Sequence, residues 1–140
     1  MGQRFEFQIR GSALVCMALW LLLVPLRWAA GAVLAAAIHE MGHLIALWAQ
    51  DVPVLGIEIG MHGAVIRTAP LEQREELCCA LAGPLAGALV CLFRRWLPEA
   101  AFCAAIQTLF NLIPVYPLDG GRVWLAMRNI CCKPGQKGVQ

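Results

Sequence analysis

The sequence predicts an all-α polytopic membrane protein with about four transmembrane helices and a small β-hairpin between the second and the third. Of its 140 residues, 60% are hydrophobic and 14% are charged, and the mean hydropathy is +0.67. Soluble domains have about 45–50% apolar and about 25% charged residues, so this composition indicates a chain that lies in lipid. The length fits one compact domain over residues 1–140. A formal charge of +2 with scattered basic residues argues against binding to nucleic acid.

Apolar stretches with few charges mark the expected spans, which lie roughly at residues 12–26, 28–49, 72–93 and 98–113. A helix needs about 20 residues to cross the hydrocarbon core, so the first segment must tilt, thin the bilayer or begin nearer Phe7. A cleaved signal peptide is the alternative for this segment, because Arg4 and Arg10 precede the apolar run and small residues follow it.

Two short segments rich in Val and Ile follow the second span. Residues 54–59 and 64–68 are separated by Gly-Met-His-Gly, which is typical of a β-hairpin. The hairpin is either a simple connector or an edge to which an extended peptide can add as a further strand.

Basic residues predict the orientation of the chain. With four spans, both termini and the hairpin share one side of the membrane, and that side carries eight basic residues against three on the other. The eight are Arg4, Arg10, Arg67, Arg74, Arg122, Arg128, Lys133 and Lys137, and the three are Arg27, Arg94 and Arg95. Because basic residues concentrate on the cytoplasmic side, we expect both termini in the cytoplasm.

The second span contains the motif HEMGH at residues 39–43. Residues four apart share a helix face, so His39 and His43 can present two imidazole nitrogens to one metal ion. Glu40 can then reach a water molecule that the metal activates. Inside so apolar a stretch, this pattern indicates a zinc protease that works within a membrane.

A catalytic zinc ion needs a third protein ligand. The sequence offers four serious candidates, which are Asp51, Glu58, His62 and Asp119. Asp119 stands out because two prolines break the fourth span before it and two glycines, which permit an unusual backbone turn, follow it. An ionisable residue next to irregular backbone at membrane depth is a candidate for a functional site.

Three motifs in order resemble the site-2 protease family of intramembrane zinc metalloproteases. They are HEMGH at 39–43, LAGPLAG at 81–87 and NLIPVYPLDGGR at 111–122, and the resemblance covers roughly residues 29–127. The chain resembles most the compact branch that contains the stage IV sporulation proteases, which process a membrane-tethered precursor of a transcription factor. It differs in having about four spans instead of the usual six.

The resemblance implies a set of site residues and a role for each. It implies that His39, His43 and Asp119 bind Zn²⁺. It also implies that Glu40 is the catalytic general base and that Asn111 binds the substrate and polarises its scissile carbonyl. The 81–87 segment is most simply a packing face for a neighbouring helix, and the resemblance gives it a role in seating the substrate.

The resemblance also implies a substrate and a location. We expect an integral protein of the bacterial cytoplasmic membrane that hydrolyses a membrane-embedded or membrane-tethered protein near the cytoplasmic face, in regulated intramembrane proteolysis. Besides this substrate and the lipid bilayer, the short chain leaves room for a regulatory membrane partner or a second copy of itself.

Two other functional classes stay open at this point. A catalytically silent scaffold could keep the same fold, although it has no physical need for this set of ionisable residues. A metal transporter could also use intramembrane His and Asp, but transporters commonly show internal repeats and the sequence shows none. The seven cysteines form no CxxC pair and imply no disulfide framework; Cys131 and Cys132, after the last apolar segment, are either unmodified or lipidated.

Overall fold

The computed structural model describes residues 6–60 and 63–132. Helices dominate, and a small sheet accompanies them. In chain order the elements are β1 (Glu6–Ile9), α1 (Gly11–Leu23), α2 (Leu26–Ala49), β2 (Val54–Gly60), β3 (Gly63–Thr68), α3 (Gln73–Val90), α4 (Pro98–Asn111) and α5 (Asp119–Cys132), with a single 3₁₀ turn at Cys91–Phe93 after α3.

Each of the four apolar segments forms a helix, but the helices differ in length. Two are long and apolar enough to cross a membrane, namely Leu26–Ala49 and Gln73–Phe93 counted through the 3₁₀ turn. α1 and α4 have 13 and 14 residues, which is short of the roughly 20 that a straight crossing needs. The structure therefore supports two of the four expected spans by length and leaves the other two as predictions. α5 is a helix that the sequence did not predict.

α2 begins after a proline and ends before a tight turn. Pro25 precedes the first residue of α2, and its fixed φ suits the entry to a helix. α1 accordingly ends at Leu23 rather than at residue 26. α2 ends at Ala49, and Asp51 then takes a φ of 55°, which turns the chain towards β2. Uninterrupted helix from Leu26 to Ala49 keeps both motif histidines on one rigid element.

The sheet has three strands in the order β1-β2-β3. β2 and β3 form the antiparallel hairpin that the sequence predicted. β1 pairs with β2 in parallel, with Gln8 opposite Glu58, and corrects the all-α prediction further because no strand was expected there. At the centre of the sheet Glu58 forms salt bridges with both Arg10 and Arg67, the latter at 2.6 Å.

Burial is arranged as expected for a protein surrounded by lipid. The buried apolar residues of the described chain are mostly alanines, such as Ala35 and Ala104. The large apolar side chains lie outside, and Leu22, Leu23 and Trp48 are each 80% exposed or more. A soluble protein rarely exposes so extensive an apolar surface. Small residues inside let α2 pack closely against α3 and α4, while α5 packs on α3.

Candidate metal centre

The two motif histidines lie side by side on the inner face of α2. His39 and His43 are one helical turn apart, and only 2% and 6% of their surfaces are exposed. Their Nε2 atoms are 3.2 Å apart. The helical spacing therefore places two ligand nitrogens at one point, as the sequence predicted.

Asp119 joins the histidines from the other end of the chain. It is the first residue of α5, and its Oδ2 lies 3.1 Å from Nε2 of His39 and 3.4 Å from Nε2 of His43. α4 ends at Asn111, before the first proline of the following loop, and α5 starts at Asp119 itself. Gly120 and Gly121 lie in the first turn of α5, where a Cβ would collide with the backbone of the preceding loop. They serve close packing rather than the unusual turn that the sequence suggested.

The three ligand atoms fit a tetrahedral zinc site. Zinc binds His nitrogen and carboxylate oxygen at about 2.0–2.2 Å, so ligand atoms of a tetrahedral site are separated by roughly 3.3 Å. The three separations here are 3.1, 3.2 and 3.4 Å. Two imidazoles and a carboxylate, all buried, match the donor set of a catalytic zinc site with one position left for substrate or water.

Further contacts hold two of the ligands in place. His43 donates from Nδ1 to the backbone carbonyl of Cys79 at 2.8 Å, which leaves Nε2 free for a metal. Arg122 Nη1 lies 3.5 Å from Oδ1 of Asp119, and its Nε donates to Glu76 at 2.6 Å. These three supporting groups were not predicted from the sequence. The three-residue spacing of Asp119 and Arg122 places them on one helix face, but this signal requires that α5 be predicted as a helix, and it was not.

Glu40 and Asn111 lie at the edge of the ligand cluster. Glu40 is half-buried beside His39, and its carboxylate makes no hydrogen bond or salt bridge with residues 6–60 and 63–132. The side-chain amide of Asn111, at the end of α4, lies 3.1 Å from Nε2 of His39. Both side chains therefore lie beside the point where His39, His43 and Asp119 meet.

The wall behind the histidines is backbone from α3. A Cβ built on Gly83 would lie 2.8 Å from His39 Nε2 and 2.5 Å from His43 Cε1. These distances are too short for any side chain, so only glycine allows α3 to approach the ligands this closely. The packing role expected for the 81–87 segment is thus found, and at Gly83 it is a contact with the site itself.

The remaining candidates for the third ligand lie elsewhere or outside the described residues. Asp51 is an exposed residue of the turn after α2. Glu58 lies in the sheet, where hydrogen bonds from Arg67 and then Arg10 hold its pKa below the ordinary value. His62 lies outside the described residues. Among the described candidates, the structure brings only Asp119 to the histidines.

Comparison with known proteins gives a match by structure. No family model matches the sequence, and no curated protein matches it either. The fold is similar to that of the site-2 protease from Methanocaldococcus jannaschii, with a TM-score of 0.70 and 19% sequence identity. The similarity covers 93% of this chain and 70% of the archaeal one. The resemblance seen in the sequence motifs is confirmed at the level of the fold: this chain has the fold of that site-2 protease.

Proposed function

We propose that this protein is an intramembrane zinc metalloprotease. Its substrate is a membrane-embedded or membrane-tethered protein, and the reaction is hydrolysis of a peptide bond near the cytoplasmic face. The observation that carries the proposal is the convergence of His39, His43 and Asp119 on one point with the separations that zinc requires. The fold shared with the archaeal site-2 protease supports it.

The residues around the cluster divide the chemistry between them. When bound, zinc supplies a Lewis acid that makes water more acidic and stabilises negative charge on the carbonyl oxygen. Glu40 accepts a proton from the water that adds to the peptide carbonyl carbon, and it delivers that proton to the amine nitrogen as the C–N bond breaks. The amide of Asn111 donates a hydrogen bond to the carbonyl oxygen as its charge develops.

The proposal depends on Glu40 more than on any other group outside the ligand set. Glu40→Gln keeps the shape of the side chain but cannot accept a proton, so we expect unchanged zinc content and a loss of cleavage of about 10²-fold or more. The assay is co-expression with candidate single-span membrane proteins, scored for cleavage, together with the zinc stoichiometry of the purified protein. Glu99→Gln, at the start of α4 and near Arg27, is the matched control. Undiminished cleavage in Glu40→Gln would exclude the assigned role.

The site is proposed to open towards the cytoplasm. His39 lies about 17 Å along α2 from Trp28, at 1.5 Å per residue, and therefore in the half of the helix nearer the hairpin. The hairpin side carries most of the basic residues, which favours the cytoplasm. Cys131 and Cys132 are exposed at the end of α5 and report on this side. We expect an impermeant thiol reagent to label them in inverted vesicles, whereas labelling from outside intact cells would reverse the orientation.

A further inference from the structure

The two histidine ligands differ in what holds their second nitrogen. Nδ1 of His43 donates to the Cys79 carbonyl at 2.8 Å. Nδ1 of His39 is buried and has no hydrogen-bond partner. Within residues 6–60 and 63–132, one other buried side-chain polar atom shares this condition, namely Oγ1 of Thr108 on α4. Buried polar groups without partners are rare enough in native proteins that each needs an explanation.

Both unpartnered atoms face the same point on α3, which is Gly87. A Cβ built on Gly87 would collide with Oγ1 of Thr108 and would lie 3.8 Å from Nδ1 of His39. The backbone carbonyl of Ala104 also lies 3.8 Å from that Cβ position. Nδ1 and Oγ1 are therefore separated by at most about two hydrogen-bond lengths, roughly 6 Å. Because Gly87 has no side chain, Oγ1 of Thr108 lies where a Cβ would be, and Nδ1 of His39 and the Ala104 carbonyl border the same space, here called the notch.

We propose that Thr108 is a positioning residue for His39, acting through a water molecule held in the notch beside Gly87. The inference rests on the proposed zinc site, because a neutral imidazole that binds metal through Nε2 carries its proton on Nδ1. The water accepts that N–H hydrogen bond and donates to Thr108 Oγ1 and to the Ala104 carbonyl. Two to four polar partners are what a buried water normally has.

In this arrangement the water accepts the hydrogen bond from Nδ1 of His39, as the Cys79 carbonyl does from Nδ1 of His43. A ring fixed through Nδ1 keeps Nε2 directed at the point where Asp119 and His43 meet it. Among the described residues, Thr108 is not one of the groups that contact the two Nε2 atoms or Oδ2 of Asp119, so its hydroxyl acts through the orientation of the ring. Partners of this kind typically contribute 10–100-fold to metal affinity.

Thr108→Val tests the inference, because valine has nearly the shape of threonine and lacks the hydroxyl. We expect the zinc dissociation constant, measured by competition with a chelator, to rise about 10-fold. The visible spectrum of the Co²⁺-substituted protein should shift, since the geometry of one ligand changes. Thr108→Ser retains the hydroxyl, so its zinc dissociation constant and Co²⁺ spectrum should equal those of the wild type. Thr68→Val, the same substitution in β3, should also leave the dissociation constant and the spectrum unchanged.

A purely structural role for Thr108 gives the opposite pattern. Removal of an unpaired buried hydroxyl would then maintain or raise the melting temperature, and the zinc affinity and the Co²⁺ spectrum would equal those of the wild type. This result would overturn the inference but leave the proposed zinc site intact. If Thr108→Val does not fold, a crystal structure of the wild-type zinc-loaded protein decides. A water within hydrogen-bond distance of His39 Nδ1 and Thr108 Oγ1 supports the inference, and a dry notch refutes it. A wild type that binds no zinc would overturn the proposed function and this inference together.

Discussion

Two clusters of ionisable side chains lie in this protein, one in the sheet and one between the helices. In the sheet, Glu58 is held between Arg10 and Arg67, so the chain itself supplies the cations that its carboxylate needs. Between the helices, a carboxylate and two imidazoles bring their electron pairs to one point. The sheet cluster is complete without a ligand, whereas in the helical cluster Arg122 meets only Oδ1 of Asp119, and Oδ2 and the two Nε2 atoms remain directed at one point.

The difference separates a structural cluster from a functional one. Both contain an acidic residue that the sequence offered as a metal ligand, and their charge alone does not distinguish Glu58 from Asp119. Their surroundings do, because Glu58 accepts from two guanidinium groups while Asp119 Oδ2 faces two ring nitrogens. Matched substitutions in the two clusters therefore test whether one is structural and the other binds metal.

The largest effect is expected at a glycine. Gly83→Ala places a methyl group against both histidines, so we expect loss of zinc binding and a lower melting temperature. Gly60→Ala, at the end of β2, is the control, because within the described residues its Cβ would meet the Arg10 side chain at an ordinary 3.8 Å and nothing nearer. Zinc stoichiometry and thermal unfolding measure both effects. Equal zinc content in the two variants would show that the α3 backbone does not limit the site.

Removal of the third ligand should affect the metal more than the fold. Asp119→Ala should weaken zinc binding by at least about 100-fold, more than the loss of an outer partner costs. Glu58→Ala and His62→Ala should bind zinc as the wild type does. Metal analysis after dialysis against a chelator gives the ranking, and zinc loss in Glu58→Ala with retention in Asp119→Ala would exchange the roles of the two clusters.

The smallest effect is a pH dependence of the sheet. The pKa of Glu58 is lowered in the folded protein, chiefly by its hydrogen bond with Arg67. Its ionised form therefore stabilises the fold above the unfolded pKa, near 4.5, and this contribution is lost as the pH falls through the folded pKa. The difference in melting temperature between wild type and Glu58→Gln, both zinc-free, should shrink between about pH 6 and about pH 3. A constant difference over that range would argue against the salt bridges.

Local patterns in the sequence predicted the features that depend on local structure. The spacing of His39 and His43 was sufficient because a single helix carries both. The hairpin was predicted because its strands are adjacent in the chain and rich in Val and Ile. Asp119 was singled out by the prolines and glycines around it, and the family resemblance then gave it a role.

Features that depend on distant contacts were missed. β1 has four residues, all exposed, and pairs with a strand about fifty positions later, so no local pattern marks it. α5 begins among glycines and carries mixed polar residues, which hid its helical character. The notch at Gly87 needs α2, α3 and α4 to be in place, so Thr108 gave no signal in the sequence.

The separation of the ligands along the chain has a consequence for the energetics of unfolding. His39 and Asp119 are 80 positions apart, and no disulfide joins the described cysteines. An ion bound by both closes a loop of that length, as a removable cross-link would, and restricts the unfolded ensemble. For a loop of this size, the chain entropy removed from the unfolded state corresponds to about 4.5 kcal/mol if the ion stays bound after unfolding. Chelation would then remove one link to α5 and leave its packing on α3 and the Arg122–Glu76 salt bridge, so that metal supply contributes to how firmly the last helix is held.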